Sequence, residues 1–118
     1  MTREPEQVAG SEWRPAELRG VTVPADTDIF LQFQNNGRVI GQGGCNRFNG
    51  GYTIDKAAIR IGPLMSTRRA CALDVMQREQ DFLQGLERAK LFLRNGARLT
   101  LKDAQGVTTL RLVQRDSE

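Results

Sequence analysis

Three features of this chain combine residue types and spacings that could do chemistry: a glycine-rich run from Gly43 to Tyr52, the cysteines Cys45 and Cys71, and the carboxylate Glu79. The run Gly43-Gly44-Cys45-Asn46-Arg47-Phe48-Asn49-Gly50-Gly51-Tyr52 carries four glycines and two asparagines. Its backbone can enter conformations that most residues resist. Successive exposed N–H groups there would form a concavity for an anion. The favoured reading is plainer, a tight corner between two strands. It is not a P-loop, because the Lys-Ser/Thr ending that contacts phosphate and Mg²⁺ is missing.

A nucleophilic cysteine needs a base or an electropositive setting. The chain has no histidine, which removes the commonest general base, the usual triads and most zinc sites together. Arg68 and Arg69 lie near Cys71 in sequence and would favour a thiolate there. A disulfide, or two buried reduced thiols, is the better reading. Two cysteines cannot make a metal site alone. Glu79 falls between Met76 and Leu83 on the apolar face of a predicted helix, where an isolated charge is very costly. It is read either as a perturbed acid in a pocket or, preferably, as a carboxylate accepting hydrogen bonds from a loop. No second carboxylate is spaced to make an acid–base pair. No catalytic residue, metal or cofactor is expected, and the chain is read as a non-enzyme.

These residues must be positioned by short strands and one helix. Residues 1–12 are polar and expected to be a flexible segment, with the domain spanning 13–118 from Trp13 onward. Leu18 and Val21 are assigned to a first strand, and Pro24 to Asp28 to a turn. Ile29, Leu31 and Phe33 alternate as a strand, Asn35-Asn36-Gly37 makes a hairpin turn, and Arg38 to Gln42 returns. Gly43-Gly44 breaks the strand, Asn49-Gly50-Gly51 is expected to turn, and Tyr52 to Ile54 forms a short strand. Ala58 to Ile61 is the next, ended by Gly62-Pro63. Three more strands follow the helix, around Leu91–Leu93, Leu99–Leu101 and Leu110–Leu112. The helix is expected from Asp74 to about Arg88, opened by an Asp74/Gln77 capping box, with Met76, Leu83 and Leu86 on its buried face and Phe82 alongside. The fold class is α+β: a curved, meander-like antiparallel sheet or small open barrel with one packed helix.

The 118 residues allow one domain, with 39% of them apolar and 26% charged, so a core is expected. The net charge of +3 is modest and spread along the chain, so nucleic acid is not an expected partner. No stretch reaches the roughly 18 apolar residues that span a bilayer. The polar N-terminus shows no apolar signal region, which leaves a cytoplasmic protein or one whose leader has been removed.

The order of the motifs resembles the META domain of the HslJ-like family. Gly44 to Tyr52 resembles its signature GCN-x-F-x-G-x-Y. Ile61 to Cys71 resembles a second signature that ends in A-C, and Met76 to Phe82 resembles its M-x-x-E-x-x-F/Y helix. Trp13 stands where the family often opens with a tryptophan. The resemblance implies a curved antiparallel sheet carrying a helix, no established enzymatic activity, and a bacterial envelope or secreted location, often as a lipoprotein. It also implies links to heat shock, novobiocin resistance, virulence, motility or secretion. Gly44, Asn46, Phe48, Gly50, Tyr52, Thr67 and Glu79 become the structural motif, with Cys45 and Cys71 close in space and bonded in an oxidising compartment. From this we expect a monomeric binding or interaction module for an unidentified protein or small apolar ligand, with membrane anchoring through a leader as a further possibility. The alternatives are a carrier holding an acyl chain inside the sheet and a cysteine-dependent redox protein.

Overall fold

The computed structural model describes residues 8–115. Nine strands and one helix follow the chain as β1 (Glu12–Leu18), β2 (Val21–Thr22), β3 (Ile29–Phe33), β4 (Arg38–Gly43), β5 (Arg47–Asp55), β6 (Ala58–Ser66), α1 (Leu73–Arg88), β7 (Leu91–Asn95), β8 (Arg98–Lys102) and β9 (Thr108–Gln114). All described pairings are antiparallel, and the sheet runs β2-β1-β3-β4-β5-β6-β7-β8-β9. An additional β1–β9 pairing bends it into a ring. The ring is not a continuous barrel. At the β6–β7 junction it is held by one register pair, Ala58 opposite Leu91.

Period-2 alternation sends one row of each strand inward. Trp13, Leu31, Phe33, Val39, Ile59, Ile61, Leu99, Leu101, Leu110 and Leu112 are buried there in one cluster with Phe82 and Leu86 of the helix. Helix α1 packs on β6 and β4 and on β9, β1 and β8, so it lies across the ring with one face buried against it and the other exposed. No helix among the described residues is long and apolar enough to cross a membrane.

Several elements differ from the sequence reading. Residues 1–7 of the expected flexible segment lie outside the described residues. Within the described part of that segment Val8 is buried, and the Gly10 N–H donates to the Phe33 carbonyl at 2.6 Å. Leu18 and Val21 belong to two strands, because Arg19 and Gly20 both take positive φ and turn the chain between them. Asn49-Gly50-Gly51 is not a turn but the middle of β5. Gly50 is there because β6 approaches too closely for a side chain: a Cβ would lie 2.7 Å from the Pro63 carbonyl oxygen. Gly62-Pro63 does not end β6, since the strand passes through the pair and resumes its pairing with Gly50 opposite Leu64. The register shift between Gly50 and Tyr52 is a bulge that takes up the irregular Gly62-Pro63 step.

The Asp74/Gln77 capping box does not form. The N-cap is Ala72, without a side-chain bond. Asp74 instead accepts the Val75 N–H at 2.9 Å, and Gln77 reaches Asp81 at 3.1 Å. The buried stripe of the helix is centred on Glu79, Phe82, Gly85 and Leu86, while Met76 and Leu83 lie half-buried at its margins. The rotation has a local cause. Gly85 lets the helix sit down on β9, where a Cβ would meet Leu110 Cγ at 2.6 Å.

Candidate functional site: a carboxylate closed on its own turn

The three chain segments that carry the motifs meet at one end of the helix. Between β4 and β5, Gly43 closes a tight turn by donating its N–H to the Asn46 carbonyl at 2.8 Å. Gly44 sits at φ +110°, a conformation L side chains rarely adopt. The turn aims two successive N–H groups at the helix. Glu79 Oε1 accepts both, from Cys45 at 3.0 Å and Asn46 at 2.6 Å. Its Oε2 accepts the Asn46 side-chain amide at 2.9 Å. The run makes the tight corner between two strands that the sequence favoured, and the N–H groups that the alternative reading offered to an anion are taken by the chain's own carboxylate.

Asn46 is the hub. Its amide nitrogen also donates to the Arg69 carbonyl at 3.3 Å, and its oxygen accepts the Thr67 hydroxyl at 2.8 Å and the Arg69 N–H at 2.7 Å. A carboxamide offers two donors and one oxygen with two lone pairs, and here all four are used. The segment from Thr67 to Arg69 is thereby held to the turn by polar bonds. The Cys45–Cys71 disulfide adds a covalent one, with Cα atoms 6.1 Å apart across 26 residues of sequence. Glu79 is only 8% exposed, and its bonds to these N–H groups are charge-assisted and stronger than neutral ones.

Close packing admits the carboxylate. Gly43 lies directly beneath it, where a Cβ would stand 2.6 Å from Glu79 Cγ. Phe48 is buried and meets Phe82 edge-on, ring centroids 5.9 Å apart, tying the strand after the turn to the helix. Tyr52 meets Phe33 edge-on at 4.9 Å and donates its hydroxyl to the Gln34 carbonyl at 2.7 Å. Burial raises its pKa above the ordinary phenol value.

Gly44, Cys45, Asn46, Thr67, Cys71 and Glu79 thus converge, while Phe48 and Gly50 brace the adjoining strands and Tyr52 stands further along β5. Sequence reasoning missed the Arg69 backbone, which no side-chain pattern could reveal, and Gly85, whose isolation within the helix was the available signal. It also gave no role to Glu87. Glu87 is exposed, yet it accepts the Leu64 N–H at 2.8 Å and caps β6 where β7 does not pair with it. Both cysteines are in the disulfide and neither is free. Among the described residues, no three Cys, Asp or Glu side chains gather into a metal-holding group.

The META domain model matches residues 6–116. No curated protein matches the chain in sequence. An NMR structure of a protein from Burkholderia xenovorans is similar with a TM-score of 0.72 at 21% identity, covering 98% of this chain and 92% of that one. A second protein solved by NMR has a TM-score of 0.72 at 22% identity and covers 95% of each chain. A DUF4847 family protein from Bacteroides vulgatus, known from a crystal structure at 1.00 Å, has a TM-score of 0.67 at 13% identity, covering 94% of this chain and 96% of its own. Identities this low establish a shared fold and nothing finer.

Proposed function

The chain belongs to the META domain family, and we propose that within it this protein is a non-catalytic binding module that makes its contacts through the outside of the ring. The occupied interior carries this reading. Trp13, Phe33, Phe82, Leu86 and Leu101 are fully buried in the space that a carrier would keep open. An acyl-chain carrier needs an apolar cavity of roughly 300 Å³ or more. An open groove of about 500 Å³ over Phe30 and Ile40 lies on the outside of the ring, where it offers a contact surface and not an enclosed chamber, and a groove of about 360 Å³ runs between the β1–β2 turn and the helix. Glu17, Arg19, Asp81, Arg88 and Asp103 contribute to its lining, which is the wrong chemistry for a hydrocarbon tail.

The residues with chemical potential are spent on structure. The cysteines are bonded to each other, and both oxygens of Glu79 are committed to the turn. We place the protein in the cell envelope or outside the cell, in a role tied to stress, novobiocin-type resistance or secretion. The disulfide supports that compartment, since such bonds persist where the surroundings are oxidising.

Titration with palmitate, followed by NMR, tests the reading. The Trp13 indole and the core methyl resonances stay unmoved if contacts are made outside. Saturable shifts at Trp13, Phe82 and Leu101 would overturn it in favour of a carrier.

A further inference from the structure

Resting on that outer-surface reading, the geometry points to one face and one kind of partner: the outer face of β7, β8, β9 and β1 binds a bilayer surface rich in anionic lipid. The register builds this face. Arg98 lies opposite Val113, and Val113 opposite Arg14. Thr100 has Leu93 on one side and Arg111 on the other, and Leu91 lies opposite Lys102. The alternate residues Leu99, Leu101, Leu110 and Leu112 are buried, so the named side chains point outward.

Arg14, Arg98, Lys102 and Arg111 stand there against two carboxylates among the described residues of these strands, Glu17, which pairs with Arg111 at 3.3 Å, and Glu12, which pairs with Arg115 just beyond β9 at 3.1 Å. Four cations against two carboxylates leave this face a cationic excess of two, most of the +3 carried by the whole chain. Charges that look scattered along the sequence are gathered by the strand register.

Beside the cations stand two aliphatic side chains with no burial to explain them. Leu93 is 62% exposed and Leu91 39% exposed, both on β7 at the weakly paired edge of the ring. Aliphatic side chains next to basic ones suit an interface of acyl chains and anionic headgroups. A single-stranded nucleic acid would instead call for aromatic rings on which bases stack, and the strands offer none on this face. The cations provide attraction that salt screens, and the leucines provide the shallow apolar insertion that salt does not.

Co-sedimentation with vesicles tests the proposal, using phosphatidylcholine alone and an equal mixture with phosphatidylglycerol. The wild-type chain sediments with the mixed vesicles and stays in solution with the neutral ones. The pair Arg98→Glu and Lys102→Glu lowers partitioning by roughly tenfold or more. The pair Leu91→Ser and Leu93→Ser also lowers it clearly. The pair Arg38→Glu and Arg47→Glu, an identical change in net charge on the outer side of β4 and β5, leaves it unchanged. All variants but Lys102→Glu alter exposed side chains, Lys102 being half-buried, and their melting curves establish that they fold.

Equal sedimentation with neutral vesicles, or equal losses from both charge reversals, would overturn the proposal. So would binding that ignores the leucine pair, which would assign the face to an acidic protein or a nucleic acid. Any of these results with the palmitate titration silent refutes the lipid surface and leaves the binding module standing. Saturable palmitate shifts in the core refute the module itself.

Discussion

Glu79 grips Asn46 at both ends: Oε1 takes its backbone N–H at 2.6 Å and Oε2 its side-chain amide at 2.9 Å. One helical carboxylate thereby fixes both the backbone path of the β4–β5 turn and the rotamer of the residue that holds Thr67 and Arg69. The consequence is a structural junction whose parts depend on one another.

Glu79→Ala removes the acceptor for three donors. Each buried donor left without a partner costs about 1–3 kcal/mol. Chemical denaturation is expected to show a loss at the upper end of single-substitution effects, about 3 kcal/mol or more. Gln80→Ala, on the exposed face, is the control and shifts the midpoint little. Glu87→Ala falls between them, because its bond to Leu64 is solvent-exposed. A Glu79→Ala midpoint no lower than that of Gln80→Ala would remove the junction from the account.

Asn46→Asp keeps the shape and reverses the chemistry. The amide that donates to Glu79 and to the Arg69 carbonyl becomes a carboxylate oxygen facing another carboxylate. Like charges this close repel strongly in a buried site. The variant is expected to be less stable than Asn46→Ala, and to recover on acidification, which relieves the repulsion. Thermal melts at neutral and mildly acid pH give the comparison, and an Asn46→Asp variant as stable as wild type contradicts it.

How much of this was legible in the sequence depends on which force fixes each element. The strands around Leu31, Leu99 and Leu112 and the span of the helix follow from alternation and helical spacing, because burial enforces both. Glu79 stood out by the same logic, as a charge on an apolar face. The turn at Asn49-Gly50-Gly51 was misread because glycine has two uses. There it admits a neighbouring strand, and only tertiary contact with Pro63 and Leu64 reveals that. The Asp74/Gln77 cap was misread because Leu73 already lies in the helix. The closure of β1 on β9 and the basic face it creates are relations between distant strands, invisible to local pattern.

Closing the loop between Cys45 and Cys71, 26 residues apart, restricts the unfolded chain. In the chain-entropy model it contributes about 3 kcal/mol. Reduction, or Cys45→Ala with Cys71→Ala, is expected to lower the denaturation midpoint accordingly while leaving the fold intact, since the polar bonds around Asn46 remain. Coincident midpoints with and without reductant would contradict the estimate.

Tyr52 gives a pH signature. Its pKa is raised by burial, so the folded state holds the phenolic proton more tightly than the unfolded state. Its contribution is fully present below the unfolded value of about 10 and is lost as pH rises through the folded one. Stability is expected to decline in that alkaline range, with a shallower decline in Tyr52→Phe, measured by denaturation at a series of pH values. Parallel declines in the two proteins would show that Tyr52 is not the group responsible.

Gly43→Ala tests the closeness of helix and turn. The added Cβ lies 2.6 Å from Glu79 Cγ, so the carboxylate must move from its donors. Overpacking of this kind costs roughly 1–3 kcal/mol. Because Gly43→Ala and Glu79→Ala act on the same junction, their effects should be less than additive. Full additivity in the double variant would place the two residues in separate structural units.

The most direct test of the junction is amide hydrogen exchange at Cys45 and Asn46, read by NMR in the native protein. Bonded to a buried carboxylate, both amides are expected to exchange only through large-scale opening, with protection close to that of the β4 and β5 core. In Glu79→Ala that protection should collapse at these two amides first, while Leu99 and Leu101 in β8 stay protected. Fast exchange at Cys45 and Asn46 in the wild-type protein, or unchanged protection after Glu79 is removed, would contradict the account.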